Sequence, residues 1–294
     1  EWQGVAGAIV VLDPSTGELL ANAGRAHGAP ADVGVRSVYF TGSTMKAFTL
    51  ATAIEAGVVA PDDRFDCEHG SWTYEGKVLR DSHENGTLSV TEMMAVSSNI
   101  GFAKVFDRLG GERLRRTMRA LHFGSAPPID GAAAGSIPER IDDHTFRGVN
   151  AAIGEGATAS PLQVAAAYAV LANGGAYVPP TVTHRSSGPP RETIFKAETA
   201  RIVASILERA VNSEQSTSTR ARLDGVRMAG KTGTASFDLP GGGEGVYASF
   251  VGFFPVEAPR FVVVVGVEQP REDGNGPTTA APAFARVATR LLAR

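Results

Sequence analysis

The spacing of apolar positions changes twice along this chain. "VAGAIVVLD", Val5 to Asp13, is an almost continuous apolar run rich in β-branched residues, and "PSTGELL" follows it. That predicts strand, turn, strand, broken at Asp13-Pro14 with Thr16-Gly17 as the turn. A loop is expected to about Tyr39, then a helix from about Ser43 to Ala56 with Gly57 as its stop. The middle of the chain takes up helical spacing. "SVTE", Ser89 to Glu92, is a capping box that opens a helix. In "SPLQVAAAYAVLANGG", Ser160 is the N-cap, Pro161 the first helical position and Asn173-Gly174 the terminator. In "AETARIVASILERAV", Ile202, Val203, Ile206, Leu207, Ala210 and Val211 share one face. After Arg227 the β pattern returns in "MAGKTGTASF", "YASFVGFFPV" and "RFVVVVGVEQP". "DLPGGGEG" joins the first two of these strands, and Glu257 to Pro259 turns between the last two. A closing helix carries Phe284, Val287, Ala288, Leu291 and Leu292 at helical spacing.

β-rich ends around a helical middle predict an α/β (α+β) fold in one domain, 1–294. A central antiparallel five-stranded sheet, built from approximately 1–60 and 226–294, is flanked by helices. A mostly helical lobe, approximately 61–225, is inserted, and a cleft is expected where the lobes meet. No internal repeat or low-complexity block interrupts this pattern.

Composition narrows the function classes. Apolar residues make up 43% of the 294 and charged residues 20%, which suits a large core and excludes wholesale disorder. A net charge of −3 leaves no basic footprint for nucleic acid. The single cysteine, Cys67, reads as a small packed residue. The longest apolar run, "FVVVVGV", falls far short of the roughly 20 residues of a membrane helix. No signal peptide pattern is present, and the first strand begins by Val5, as expected of a trimmed piece of a longer protein.

"TGSTMKAFTL" carries the candidate chemistry. Ser43 and Lys46 lie on the same face of the expected helix, among the apolar neighbours Met45, Ala47, Phe48 and Leu50. A desolvated lysine, or one near a second cation, is neutral enough to take a proton from a serine hydroxyl. Alone, the pair reads as a capped helix with a snorkelling lysine. Two further patterns change that: Ser97-x-Asn99 just past the capping-box helix, and Lys231-Thr232-Gly233 on the first C-terminal strand. Each of the three occurs once, in the order that serine acyl-transfer enzymes use.

On these motifs the chain resembles the transpeptidase domain of penicillin-binding proteins, of the class B, monofunctional type closest to the cell-division enzymes. The resemblance extends through "AGAIVVLDPSTGELLA", "GSTMKAFTLATAIEAG", "NGTLSVTEMMAVSSNIGFAKV", "GEGATASPLQVAAAYAVLANGG" and "AGKTGTASF" with "YASFVGFFPVEAPRFVVVVGVEQP". It implies a β-lactamase/transpeptidase-like fold and no cofactor or metal. Ser43 would attack a D-alanyl-D-alanine stem peptide, with Lys46 as general base. Ser97 would relay a proton to the leaving amine, and Asn99 would hold Lys46 and the substrate amide. Lys231 would add positive field, and Thr232 and Thr234 would bind the substrate carboxylate. Gly233 would leave the strand bare for a peptide. Backbone N–H groups of Ser43 and Thr234 would form the oxyanion hole. The implied partners are peptidoglycan stem peptides, β-lactam antibiotics as covalent inhibitors, and glycosyltransferase and divisome proteins met through parts outside this chain. The implied location is extracytoplasmic, at the periplasmic face of the cell membrane, with an N-terminal transmembrane anchor and a pedestal domain that this chain lacks. Thr41 departs from the resemblance, standing where proline is expected before Gly42.

Two alternatives share the fold. A serine β-lactamase of class A would need Glu-x-x-Leu-Asn between Asn99 and Lys231, and no such pattern is there. A β-lactam-sensing, non-catalytic domain would keep the fold without turnover. Other candidates are weaker. The six histidines show no metal-ligand spacing, and Gly154-Glu155-Gly156 reads as a turn. "PGGGEG" reads as a hairpin tip, and no carboxylate pair suggests a glycosidase.

Overall fold

The N-terminal hairpin and the three C-terminal strands meet in one antiparallel sheet of the computed structural model, which describes residues 4–184, 188–239, 241–270 and 274–293. Its strands are β1 (Ala6–Leu12), β2 (Leu19–Ala26), β3 (Ala29–Pro30), β4 (Ala229–Asp238), β5 (Glu244–Phe254) and β6 (Phe261–Glu268). Their order across the sheet is β4-β5-β6-β1-β2-β3, so β1 pairs with β6 and joins the chain's two ends. The sheet has six strands, not the five expected. The extra one, β3, pairs only Ala29 and Pro30 with Ala26 and Arg25, inside the stretch expected as loop. Two residues are too few to show a period, and Pro30 suits a sheet edge because it has no N–H to offer. The same stretch also forms a one-turn helix, Val33–Arg36, and a short strand, Tyr39–Phe40, paired with Thr158–Ala159. Pro240, in the expected β4–β5 tip, lies outside the described residues, as does Glu1.

The central strands β1, β5 and β6 are buried on both faces, which explains why they read as continuous apolar runs. Val10, Val251, Phe253, Val262 and Val264 belong to the main core; their neighbours Val11, Phe250, Phe254, Val263 and Val265 belong to a second cluster. Successive side chains alternate between the faces of a strand, so "FVVVV" feeds both cores at once. The second cluster is closed by helix α8 (Ala281–Leu292), through Phe284 and Ala288.

The main core continues into the helices. These are α1 (Lys46–Glu55), α2 (Val90–Val96), α3 (Asn99–Leu109), α4 (Gly111–Ala120), α5 (Phe146–Ile153), α6 (Pro161–Ala172) and α7 (Ala197–Asn212). The capping box of Ser89 with Glu92 forms on α2 as expected, and Ser160 caps α6 as expected, in a box that the structure completes with Gln163. Helix α6 packs on β1, β5 and β6, and α7 packs on β4 and α2, so two helices of the inserted segment also line the sheet. Helix α1 lies between sheet and insert, with every residue from Lys46 to Ala53 buried. It begins later than expected: Gly42–Met45 is a tighter 3₁₀ turn that leads into it.

Candidate active site

The 3₁₀ turn holds Ser43, and its neighbours are fixed from several sides. The N–H of Gly42 donates to the carbonyl of Gly154 at 2.9 Å, and the Thr41 N–H to that of Ala157 at 3.1 Å. The Thr41 hydroxyl also donates to the Gly154 carbonyl, at 3.2 Å. A proline at position 41 could not supply the Thr41 N–H, so threonine suits this tether. Behind the turn, the buried Tyr168 hydroxyl donates to the carbonyl of Thr44 at 2.9 Å. Among the described residues the Ser43 hydroxyl takes part in no side-chain hydrogen bond; its backbone N–H is in the first turn, where helical N–H groups lack intrahelical partners.

Lys46, one turn on, is fully buried. Its Nζ donates to the carbonyl of Ser97 at 2.6 Å, to Asn99 Oδ1 at 2.7 Å and to Ser97 Oγ at 3.3 Å. Burial pushes its pKa down to about 7, while the negative charges of Asp81 and Glu155 pull upward against that.

The Ser-x-Asn segment is the junction of two helices. Ser97 ends α2 in the left-handed region at φ 61°, a costly place for a residue with a Cβ and one that recurs at functional sites. Ser98 caps α3, accepting from the Gly101 N–H at 2.9 Å. Asn99 is the first residue of α3. Its Nδ2 donates to the Arg80 carbonyl at 3.0 Å, which turns Oδ1 toward Lys46.

Asp81 organises this junction, and sequence reading missed it. Its Oδ1 accepts the N–H groups of Asn99 and Ile100 at 2.6 and 3.0 Å, and its Oδ2 accepts the Ser98 hydroxyl. A carboxylate is favoured there by the unpaired N–H groups at a helix start. Nothing in "VLRDSHENG" signals this, because the segment bears no motif and its partners lie elsewhere in the chain.

Lys231 comes to the same serine from the opposite side. Its Nζ donates to Ser97 Oγ at 2.9 Å and to the Thr232 carbonyl at 3.2 Å. Burial, and then the nearby Lys46, push its pKa well below the ordinary lysine value. On β4, an edge strand, Thr232 Oγ1 shares a hydrogen bond with Thr217 Oγ1 at 2.8 Å, and Thr234 Oγ1 accepts from the Gly276 N–H at 3.2 Å. The Thr234 carbonyl oxygen lies 3.1 Å from where a Cβ on Gly42 would stand. A strand residue's N–H and C=O point the same way, so the Thr234 N–H also faces the Ser43 turn. Gly233 has a reason other than a bare surface: a Cβ there would overlap Ser249 Oγ and press on Thr44 at 3.1 Å. Its lack of a side chain lets β4 pack directly on the Ser43 turn.

Ser43, Ser97, Asn99, Thr232 and Thr234 line one cleft of about 290 Å³, and Lys46 and Lys231 reach its wall through their hydrogen bonds to Ser97. Ser82, Glu155, Thr217 and Asn275 also line it, and only the tertiary structure reveals them. Gly154-Glu155-Gly156 is a turn, as expected. It ends α5 with Gly154 in the left-handed region and seats against Gly42. Histidines lie elsewhere: His122 pairs with Glu192, His144 with Asp107 and His184 with Glu18, all exposed.

PbpB, a penicillin-binding protein of Mycolicibacterium smegmatis, is 31% identical over 97% of this chain and 50% of its own length. The protein named probable peptidoglycan D,D-transpeptidase PenA of Neisseria meningitidis is 30% identical over 97% of this chain and 51% of its own. The chain therefore spans about half the length of the curated relatives it matches. The solved transpeptidase domain of Burkholderia pseudomallei penicillin-binding protein 3 superposes with a TM-score of 0.88, at 32% identity, over 99% of this chain and 88% of that one. The family model described as "Penicillin binding protein transpeptidase domain" matches residues 7–289, and the chain belongs to that family.

Proposed function

We propose that this domain is a serine D,D-transpeptidase that cross-links peptidoglycan stem peptides in cell division and is acylated by β-lactams. The observation that carries the reading is a buried Lys46, with its pKa lowered to about 7, held by Ser97 and Asn99 one helical turn from Ser43. A lysine in that state accepts a proton near neutral pH.

In this reading Ser43 Oγ attacks the carbonyl between the two D-alanines and gives its proton to Lys46. The oxyanion faces the N–H groups of Ser43 and Thr234, a type of contact typically worth about 3 kcal/mol at the transition state. Ser97, hydrogen-bonded to both lysines, passes the proton to the leaving nitrogen. The C–N bond breaks, D-alanine departs and the acyl group remains as an ester on Ser43. An acceptor amine then attacks the ester and forms the new amide. Its proton returns through the same groups to Ser43 Oγ. Thr232, Thr234 and Lys231 bind the donor's terminal carboxylate. The relatives' names support peptidoglycan and penicillin as ligands. We further propose an extracytoplasmic site of action, a transmembrane anchor before this domain, and glycosyltransferase and divisome partners reached through the rest of the protein.

Intact-mass analysis after incubation with benzylpenicillin tests the reading. The whole drug should add to Ser43 and persist for hours, and Ser43→Ala should show no adduct while keeping its melting temperature. An adduct on Ser43→Ala would misassign the nucleophile. Rapid nitrocefin turnover would point to a β-lactamase, and acylation without turnover of a D-alanyl-D-alanine thioester to a sensor.

A further inference from the structure

One residue lining the cleft is charged, and the reaction above does not use it. Glu155 follows the glycine seated on Gly42, and its own N–H donates to the Asn150 carbonyl at 2.8 Å. Its backbone is therefore tied to the Ser43 turn and to the end of α5. Its side chain is exposed, and among the described residues its carboxylate makes no hydrogen bond or ion pair. The site's lysines do not neutralise it: Lys46 is engaged by Ser97 and Asn99, and Lys231 by Ser97 and Thr232. Its charge nevertheless acts on Lys46.

The cleft is therefore polarised. At the β4 side stand the hydroxyls of Thr232 and Thr234 with Lys231 behind them, suited to an anion. Across the Ser43 turn, the α5 side presents a free carboxylate. A ligand bearing a carboxylate at one end and an ammonium at the other matches both sides; a ligand with a carboxylate alone matches one.

Building on the acyl-transfer reading, we propose that Glu155 recognises a primary ammonium on the bound ligand, so that the cleft selects substrates and β-lactams carrying one. The ammonium can belong to the acyl donor's side chain or to the incoming acceptor, which is held as an ammonium and releases one proton to solvent before its free amine attacks the ester. Both offer the same chemistry.

Two ratios measured on the wild-type domain and Glu155→Gln separate these sources. Benzylpenicillin and ampicillin differ by one ammonium on the acyl side chain. Their acylation rates are compared by intact mass, and the ratio cancels any effect of position 155 on Lys46. For the acceptor, the acyl-enzyme formed from a D-alanyl thioester is partitioned between glycinamide, largely an ammonium at mildly acid pH, and neutral hydroxylamine. The expected result is a fall of about threefold in one ratio, the size of an exposed ion pair. A further fall is expected in Glu155→Lys, provided melting temperatures match. A drop in the first ratio assigns the donor, and a drop in the second the acceptor. If both ratios stay at their wild-type values while Ser43 is still acylated, the proposal is overturned and the transpeptidase reading stands. If the wild-type domain is acylated by neither drug nor thioester, the transpeptidase reading itself fails, and this proposal with it.

Discussion

Gly42 and Gly154 are in backbone contact: the Gly42 N–H donates to the Gly154 carbonyl at 2.9 Å, and a Cβ on Gly154 would overlap the Gly42 carbonyl oxygen. This contact sets the Ser43 turn against the end of α5. Gly154 also has a φ of 97°, which a residue with a Cβ adopts only under strain.

Gly154→Ala should therefore lose both melting temperature and penicillin acylation. Gly174 supplies the control. Its φ is 86°, yet nothing lies within 4 Å of its Cβ position. Gly174→Ala should cost about 1 kcal/mol from backbone strain alone and leave acylation intact. Equal losses of acylation in the two variants would mean that the Gly42–Gly154 contact does not position Ser43.

Lys46→Arg should lose nearly all acylation, because a guanidinium stays protonated and cannot accept the serine proton. Lys231→Arg places a permanent positive charge where the substrate carboxylate is bound and should retain part of the rate. Removing a proton-transfer group typically costs about 10²- to 10⁴-fold, so stopped-flow acylation at matched melting temperature separates the two variants. Equal rates would place the base elsewhere.

The pH dependence follows from the burial of Lys46. Its pKa of about 7 means that the neutral, proton-accepting form grows in as pH rises toward 7 and predominates above it. Acylation should rise about tenfold per pH unit on the acid side and level off above neutrality. A profile flat across that range would remove Lys46 from the proton transfer.

Asp81→Asn tests the charge at the helix junction. An asparagine still accepts the N–H groups of Asn99 and Ile100 and still reaches Ser98. The negative charge, which holds the Lys46 pKa up, is gone. The Lys46 pKa should fall further, and the acid limb of the acylation profile should move to lower pH. A role confined to holding α3 would lower stability and rate at every pH without moving the limb.

Much of this was written in local order along the chain. Ser89 with Glu92, and Ser160 with Pro161, announce their helices because the signals at each start lie within one turn. The last three strands of the sheet are legible because β-branched residues run together between turn residues. The three motifs containing Ser43, Ser97 and Lys231 are recognisable because each is a few residues long. The two-residue strand β3 and the 3₁₀ start at Gly42 lie below the length at which periodicity speaks. Tertiary structure alone decided what the motif residues experience. Lys46 has a pKa near 7 because the core closes over it, and desolvation depends on atoms drawn from several elements. Asp81 sits in a segment without a motif and Glu155 in a stretch that reads only as a turn, and both act across space on a lysine far away in sequence. The turn at Gly154 is predictable as a turn, but not as the surface on which Gly42 rests. Short-range sterics and hydrogen bonding shape the elements, whereas burial and charge at the site arise from contacts that only the packed chain creates.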